Sequence, residues 1–389
     1  MPRLGGVAAG AGVGFAFLGD GFVPLALLAA LMLILPLAGP AWRTRAYAST
    51  AVIAAAVAAP LLAIWPLLLW DVSPAALSLW LAKAGASRWS DGGSRQGMLD
   101  LVYFVKILPW YAWPAWPLAA WSLWRARKSL ATRGDLLLPF VALLVFFVIL
   151  SLFADARELN AMPLLVPLAL LGVAEIDSLR RGAASALDWF GLTTFFLLAV
   201  LIWVAWVAAI TGSPDAVAEL IRREVPGFRY EFRFLPMALA ALLTLVWLVV
   251  VARSLRTTRR ALVNWAAGIT MVWMLVMTLG VPLVDHARSY RGVAKELIQV
   301  LPIGYQCAIS SNVGDAQRAL LSQYAGLRFL RADSPAAPAC GIRLVQAAPS
   351  GIPEAEAVWS EIWRGSRPGD KSELFVLYRR SDWPARPAK

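Results

Sequence analysis

The sequence predicts an all-α polytopic membrane domain followed by a small α/β soluble domain, and three observations carry that reading. Hydrophobic residues make up 60% of the 389 and charged residues only 15%, a balance unlike that of soluble globular chains. Windows of roughly 20 mostly apolar residues recur to about residue 284, each long enough to cross a hydrocarbon core of about 30 Å as a helix. After Pro282 the apolar runs shorten and polar residues return. A backbone in lipid must pair its own amides, so helices and not open strands are expected in the first part.

About nine spans follow in order, near residues 4–19, 22–40, 47–70, 99–124, 135–154, 161–176, 189–212, 234–252 and 262–284. The first carries Gly5, Gly6, Gly10, Gly12 and Gly14, small residues that let a second helix approach closely; a flexible leader is the alternative. It does not resemble a cleavable signal peptide, because Arg3 precedes a Gly-rich segment that runs straight into the next span. Between these two, Asp20 is expected to cap a tight hairpin with the help of Gly19 and Gly21. In the fourth, Pro109, Pro114 and Pro117 are expected to kink or break the helix. Residues 214–234 read either as a surface amphipathic helix, with Arg222, Arg223, Arg229 and Arg233 near lipid phosphates, or as a solvated loop.

Positive charge alternates between loops, which gives an orientation. Arg43 and Arg45, then Arg125, Arg127, Lys128 and Arg133, then Arg180 and Arg181, and finally Arg253, Arg256, Arg259 and Arg260 mark the cytoplasmic loops. The amino terminus is thereby placed inside and everything after about residue 285 outside. The formal net charge of +12 is mostly this topology signal. Its scatter over short loops leaves no single patch for a nucleic acid, which is excluded as a partner.

The division is therefore 1–284 for the transmembrane domain and 285–389 for the outer α/β domain. YQCAIS, CGIRLVQ and ELFVLYR read as strands, and VGDAQRALLSQYAG and PEAEAVWSEIWR as helices. The only two cysteines, Cys307 and Cys340, each fall at a predicted strand. In an oxidising compartment they form either a disulfide or two buried thiols in neighbouring strands, a choice the Cα separation decides.

Self-contained catalytic chemistry is scarce. His286 is the only histidine, so no His-based metal cluster or Ser/His/Asp triad has enough partners, and two cysteines alone do not make a zinc site. No Walker-type or dinucleotide glycine fingerprint appears. Lys106 stands inside an apolar run about two turns from the outer end of its span, where an unpaired ammonium is costly. It either meets an anionic group or snorkels to the interface. Tyr103 and Trp110 flank it in an aromatic-rich segment of the kind that anchors interfaces. A second polar group, Asp155, Arg157 and Glu158 in ADARELN, lies between the fifth and sixth spans on the same predicted side.

The run YFVKILPWYAWPAWPLAAWSLWR, the basic loop after it and LLLPFVALLVFFVILSLFADARELNAMPLLVPLALL resemble the later part of bacterial C-type glycosyltransferases. Within that superfamily they are most similar to the aminoarabinose lipid A transferase and protein O-mannosyltransferase group. The shared features are an LPW segment closing a long periplasmic loop, a short S-x(5)-R-E-x-x-A-x-P hairpin and a periplasmic α/β domain after the last helix. The resemblance implies a multi-pass protein of the bacterial inner membrane that takes a sugar from a polyprenyl-phosphate donor and passes it to a lipid or glycan acceptor. The departing phosphate is stabilised in such enzymes by basic residues or a divalent metal ion. By resemblance, Lys106 and Arg157 contact phosphate or sugar, Glu158 orients Arg157 or binds a sugar hydroxyl, and Tyr103 and Trp110 border the sugar or prenyl chain. Arginine suits phosphate through its planar two-donor fork.

The sequence also departs from that pattern. The acidic loops that carry catalysis in the family lie upstream of anything aligned here, and Asp20 stands where the family usually has Lys. Three readings follow: an enzyme whose missing helices come from a separately encoded amino-terminal half, a noncatalytic accessory membrane protein, or a transporter of lipid-linked or anionic substrates. The absence of a clear internal repeat speaks against transport.

Overall fold

A computed structural model of the chain describes residues 2–82, 96–154, 156–254, 257, 259–302, 304–332, 337–348, 358–370 and 372–382. The chain divides into two compact units, Met1–Arg181 and Gly182–Lys389.

The first unit holds α1 (Pro2–Asp20), α2 (Phe22–Ala38), α3 (Arg45–Val72), α4 (Pro74–Leu81), α5 (Gln96–Tyr111), α6 (Ala115–Ala126), α7 (Gly134–Phe153) and α8 (Met162–Ala174). Helix α1 lies against α3 through Gly6, Gly10 and Gly14, spaced one turn apart. A Cβ on Gly6 would stand 2.8 Å from the Thr50 carbonyl oxygen, and one on Gly10 2.8 Å from Val57 Cβ. Gly5, Gly12 and Gly19 face open space, so only one of the two glycine faces makes the close approach that membrane helices favour. Gly21 turns the chain into α2 at φ 74°, its N–H donating to Phe17 O over 2.8 Å. Asp20 supplies no side-chain cap, contrary to expectation, because a glycine in the left-handed region reverses the chain by itself. Thr44 caps α3, and the Tyr47 hydroxyl donates to Met32 O over 2.6 Å, tying α3 to α2. The core gathers Leu27 and Leu35 of α2, Phe104 of α5, Val141, Phe146 and Leu150 of α7, and Leu164 of α8.

Among the described residues, five helices are long and apolar enough to cross a membrane: α3, α7, α9 (Arg181–Thr211), α11 (Phe234–Arg253) and the run Arg260–Val300. Phe22–Ala38 and Glu158–Ala174 are shorter apolar helices. The about nine spans of the sequence reading are thus not reproduced by length and composition, for reasons visible in the chain. Six of the 19 residues of α1 are glycine, which dilutes its hydropathy. The stretch 99–124 is two helices, because Pro114 has no N–H to continue α5 and instead starts α6. The sixth stretch opens with a tight 3₁₀ turn, Glu158–Ala161.

The second unit holds α9, α10 (Asp215–Glu224), α11, α12 (Arg260–Leu275), α13 (Val281–Arg288), α14 (Arg291–Val300) and a five-stranded sheet with α15 (Asp315–Ala325). Of residues 214–234, read as a surface helix or a solvated loop, Asp215–Glu224 is helical and 225–233 is not. In the non-helical Val225–Arg233 that follows, Val225 is buried and Phe228 and Tyr230 half-buried, the Tyr230 hydroxyl donating to Leu279 O over 3.1 Å. Leu279 belongs to a single π turn, Val276–Gly280, that joins α12 to α13. Pro282 just beyond cannot donate into a regular turn, and a widened turn accommodates it.

The strands β1 (Ala308–Ser311), β2 (Phe329–Arg331), β3 (Ile342–Ala347), β4 (Trp359–Gly365) and β5 (Leu374–Arg380) lie in the order β2-β1-β3-β5-β4. β1 is parallel to β2 and β3, while β5 is antiparallel to β3 and β4. Leu297 of α14 and Leu321 of α15 pack with Ile342, Leu344, Phe375 and Leu377 on one face. The three expected strands and the helix after the first form as read. PEAEAVWSEIWR does not: its part within the described residues is β4, because Trp359, Ile362 and Trp363 gain more from pairing with β5 and packing than from local helical spacing. Cys307 and Cys340 form a disulfide with a Cα separation of 5.1 Å. They immediately precede or closely approach the starts of the neighbouring strands β1 and β3, which brings them together.

Candidate functional site

The sequence-predicted site residues sit on two adjacent elements of the first unit. Helix α5 turns Phe104, Ile107, Leu108 and Tyr111 into the core at helical spacing. Val105, Lys106 and Trp110 are consequently on the outward side, Trp110 with 89% of its surface exposed. Tyr103 is half-buried at the edge of that core, its ring edge-on to Phe104 at 5.5 Å. Lys106 makes no hydrogen bond or ion pair with a described residue. Among the described residues no carboxylate pairs with it, which leaves an ammonium to snorkel or to meet an anion.

The hairpin between α7 and α8 is buried at its two ends and exposed at Arg157 and Glu158. Ala154 and Ala161 are buried in the core that contains Phe104, while Arg157 and Glu158 are exposed. α5 touches the 3₁₀ turn Glu158–Ala161, and the Tyr111 phenol lies within electrostatic reach of Glu158. The structure therefore brings the element carrying Tyr103, Lys106 and Trp110 against the turn that Arg157 opens. It does not join Arg157 to Glu158: no ion pair forms between them, so the carboxylate does not orient the guanidinium here. Asp155 lies outside the described residues, as does the loop 83–95. Among the described residues no three His, Cys, Asp or Glu side chains converge.

Three polar clusters escaped the sequence reading. At the other end of α7, Arg133 bridges Asp135 and Glu175, and the hydrogen bonds it donates to Asp135 are the main influence raising its pKa. Beside it Trp121 Nε1 donates to Ser178 Oγ over 3.0 Å. In the second unit Asn264 Nδ2 donates to Asp188 Oδ1 over 2.6 Å and Arg260 Nε stands 3.2 Å from Asp188 Oδ2. Arg260 is thus more than a topology charge; its i, i+4 spacing from Asn264 was the available signal. In the soluble part Glu373 is buried and accepts from the Tyr290 hydroxyl (2.8 Å), Gln346 Nε2 (2.8 Å) and Arg367 Nε (2.7 Å). Arg367 also stacks over the Tyr290 ring at 4.6 Å. His286 is exposed, its Nε2 lying 3.3 Å from Pro226 O.

No protein-family model matches the sequence, and no characterised protein matches it significantly. The structure is similar to the crystal structure of ArnT from Cupriavidus metallidurans bound to undecaprenyl phosphate, with a TM-score of 0.52 and 17% sequence identity over 96% of this chain and 68% of that one. At that identity the likeness is one of fold: the chain is a multi-pass membrane protein with an ArnT-like helical architecture and a small carboxy-terminal sheet.

Proposed function

We propose that the chain is a C-type glycosyltransferase-like protein of the bacterial inner membrane that binds a polyprenyl-phosphate-linked sugar and serves its transfer to a lipid or glycan acceptor at the periplasmic face. In this reading α1, α2, α5 with α6, and α8 complete the five long apolar helices to about nine crossings. The amino terminus is cytoplasmic and residues 285–389 are periplasmic. The observation that carries the reading is the fold shared with ArnT, a protein solved with undecaprenyl phosphate. The neighbouring positions of α5 and the 156–161 hairpin support Lys106 and Arg157 as phosphate contacts. Glu158 would take a sugar hydroxyl, and Tyr103 and Trp110 would border the prenyl chain.

A second reading is a carrier-binding subunit that depends on a separately encoded partner half. The two separate in one assay set. The full chain in nanodiscs is expected to bind a polyprenyl phosphate more tightly than the matching uncharged polyprenol. Lys106→Ala or Arg157→Ala is expected to weaken that binding roughly 10- to 100-fold, the size of a lost charge-assisted hydrogen bond. Equal affinity for phosphate and alcohol sinks both readings. Sugar transfer by the chain alone supports the first, and transfer only on coexpression with an upstream coding region supports the second.

A further inference from the structure

One end of the first unit is strongly basic, and the carrier-binding reading does not use it. Three segments converge there. A Cβ on Gly39, after α2, would meet Leu137 Cδ2 at 2.7 Å and Ala131 O at 3.9 Å, so the 39–45 segment abuts the loop before α7. Arg133 of that loop is paired with Glu175 beyond α8, and Trp121 with Ser178. Residues 39–45, 125–135 and 175–181 carry eight bases against three acids, a net +5. Two of the acids, Asp135 and Glu175, are already paired to Arg133. Arg45, Arg125, Arg127, Lys128, Arg180 and Arg181 are exposed. At the opposite ends of α1, α3 and α7, the described charges are Asp20, Asp71 and Glu158 against Arg157, with Lys106 nearby on α5. Among the described residues the basicity therefore belongs to this end.

We infer that this rim, centred on Arg125, Arg127 and Lys128, binds the headgroups of anionic phospholipids. Position and chemistry agree. The 20 residues of α7 rise roughly 30 Å, the thickness of the hydrocarbon core, so both helix ends lie at headgroup level. Trp124, 63% exposed, stands in the rim, as indoles do at the interface. Arg127 is held over it, Cζ 4.5 Å from the ring centroid and Nη1 donating to Trp124 O over 2.8 Å. That leaves the rest of a guanidinium fork facing outward, beside two further cations, for phosphate oxygens. Juxtamembrane clusters of this kind attract anionic lipid at ~1 kcal/mol per basic residue.

The test uses the full chain in phosphatidylcholine vesicles holding a trace of spin-labelled phosphatidylglycerol or spin-labelled phosphatidylcholine. The quantity read is the ratio of motionally restricted label. The wild type is expected to favour phosphatidylglycerol about fivefold or more, less so at high salt. R125Q/R127Q/K128Q is expected to bring the ratio near one, while R125K/R127K retains most of it and shows that charge, not folding, is read. R364Q, on strand β4 of the carboxy-terminal sheet, is expected to leave it unchanged. No preference in the wild type, an undiminished preference in the triple glutamine variant, or full displacement of the lipid by millimolar inorganic phosphate each overturns the inference.

Discussion

Replacing Gly10 by alanine tests the packing of α1 on α3 most directly. The new Cβ would fall on the Ala54 carbonyl oxygen and stand 2.9 Å from Ala54 Cα and 2.8 Å from Val57 Cβ. Two of these atoms are backbone, which cannot rotate away, so the helices must separate along the seam. Overpacking of this kind costs ~1–3 kcal/mol. Alanine also favours the helical backbone over glycine by about 0.5–1 kcal/mol, and Gly12→Ala, whose Cβ meets nothing within 4 Å, carries that gain alone. The difference between the two variants isolates the seam at ~1–3 kcal/mol. For a unit the size of Met1–Arg181 this corresponds to roughly 2–12 °C in Tm. Tryptophan-fluorescence melting of the full chain in detergent measures it. Gly6→Ala, set against Thr50 O and the Ile53 side chain, is expected to fall between the two. If Gly10→Ala melts no lower than Gly12→Ala, the close approach of α1 and α3 is wrong.

The soluble part offers three further tests. Cys307→Ser/Cys340→Ser removes a crosslink between positions separated by 33 residues, and chain entropy sets the loss at about 4 kcal/mol; thiol labelling under non-reducing conditions with and without unfolding checks the bond itself. Glu373→Ala strips Tyr290, Gln346 and Arg367 of a shared buried acceptor and is expected to cost ~3–5 kcal/mol, whereas adding Arg367→Ala should cost much less than its single effect. Hydrogen bonds from the Ser372 side chain and backbone, then the Arg367 charge, hold the Asp370 carboxyl below the usual carboxylate range. A lowered folded pKa contributes stability above the unfolded value near ~3.9 that is lost on acidification through the folded one. The Tm difference between wild type and Asp370→Asn is therefore expected to be largest at neutral pH and to close below about pH 4.

Much of this architecture was legible because its determinants are local. The break near residue 112 follows from Pro114, and the inward face of α5 from Phe104, Ile107, Leu108 and Tyr111, a spacing that also turns Lys106 outward. The depth argument for Lys106 left an anionic partner and snorkelling as alternatives, and among the described residues none pairs with it. Glycine spacing indicated a close helix contact, but whether Gly6/Gly10/Gly14 or Gly5/Gly12/Gly19 faced it depended on where α3 lay. Strand β4 was misread because its tryptophans fit a helical period as well as a pleat, and only β5 decides between them. The three-residue β2 is too short for any periodicity. The clusters around Glu175, Asp188 and Glu373 join residues at least 40 apart in sequence or depend on tertiary burial, which no local pattern encodes.

The sheet in the second unit is fastened to the end of a long rod. From Arg260 to Arg288 the chain is helical throughout, roughly 40 Å at ordinary rise. At its far end Gly369 leaves no room for a side chain against Ala287, its N–H donating to Ala287 O over 3.3 Å. Arg367 meanwhile reaches the Arg288 carbonyl and the Glu373 carboxylate. A sheet clamped this way has to follow the rod: a change of about 10° in helix tilt, well within what bilayer thickness imposes, carries that end sideways by roughly 7 Å. The sheet and the helical run Arg260–Arg288 are thereby tied into one piece at the Ala287–Arg288 end, with the π turn at Val276–Gly280 the one irregular turn along that run.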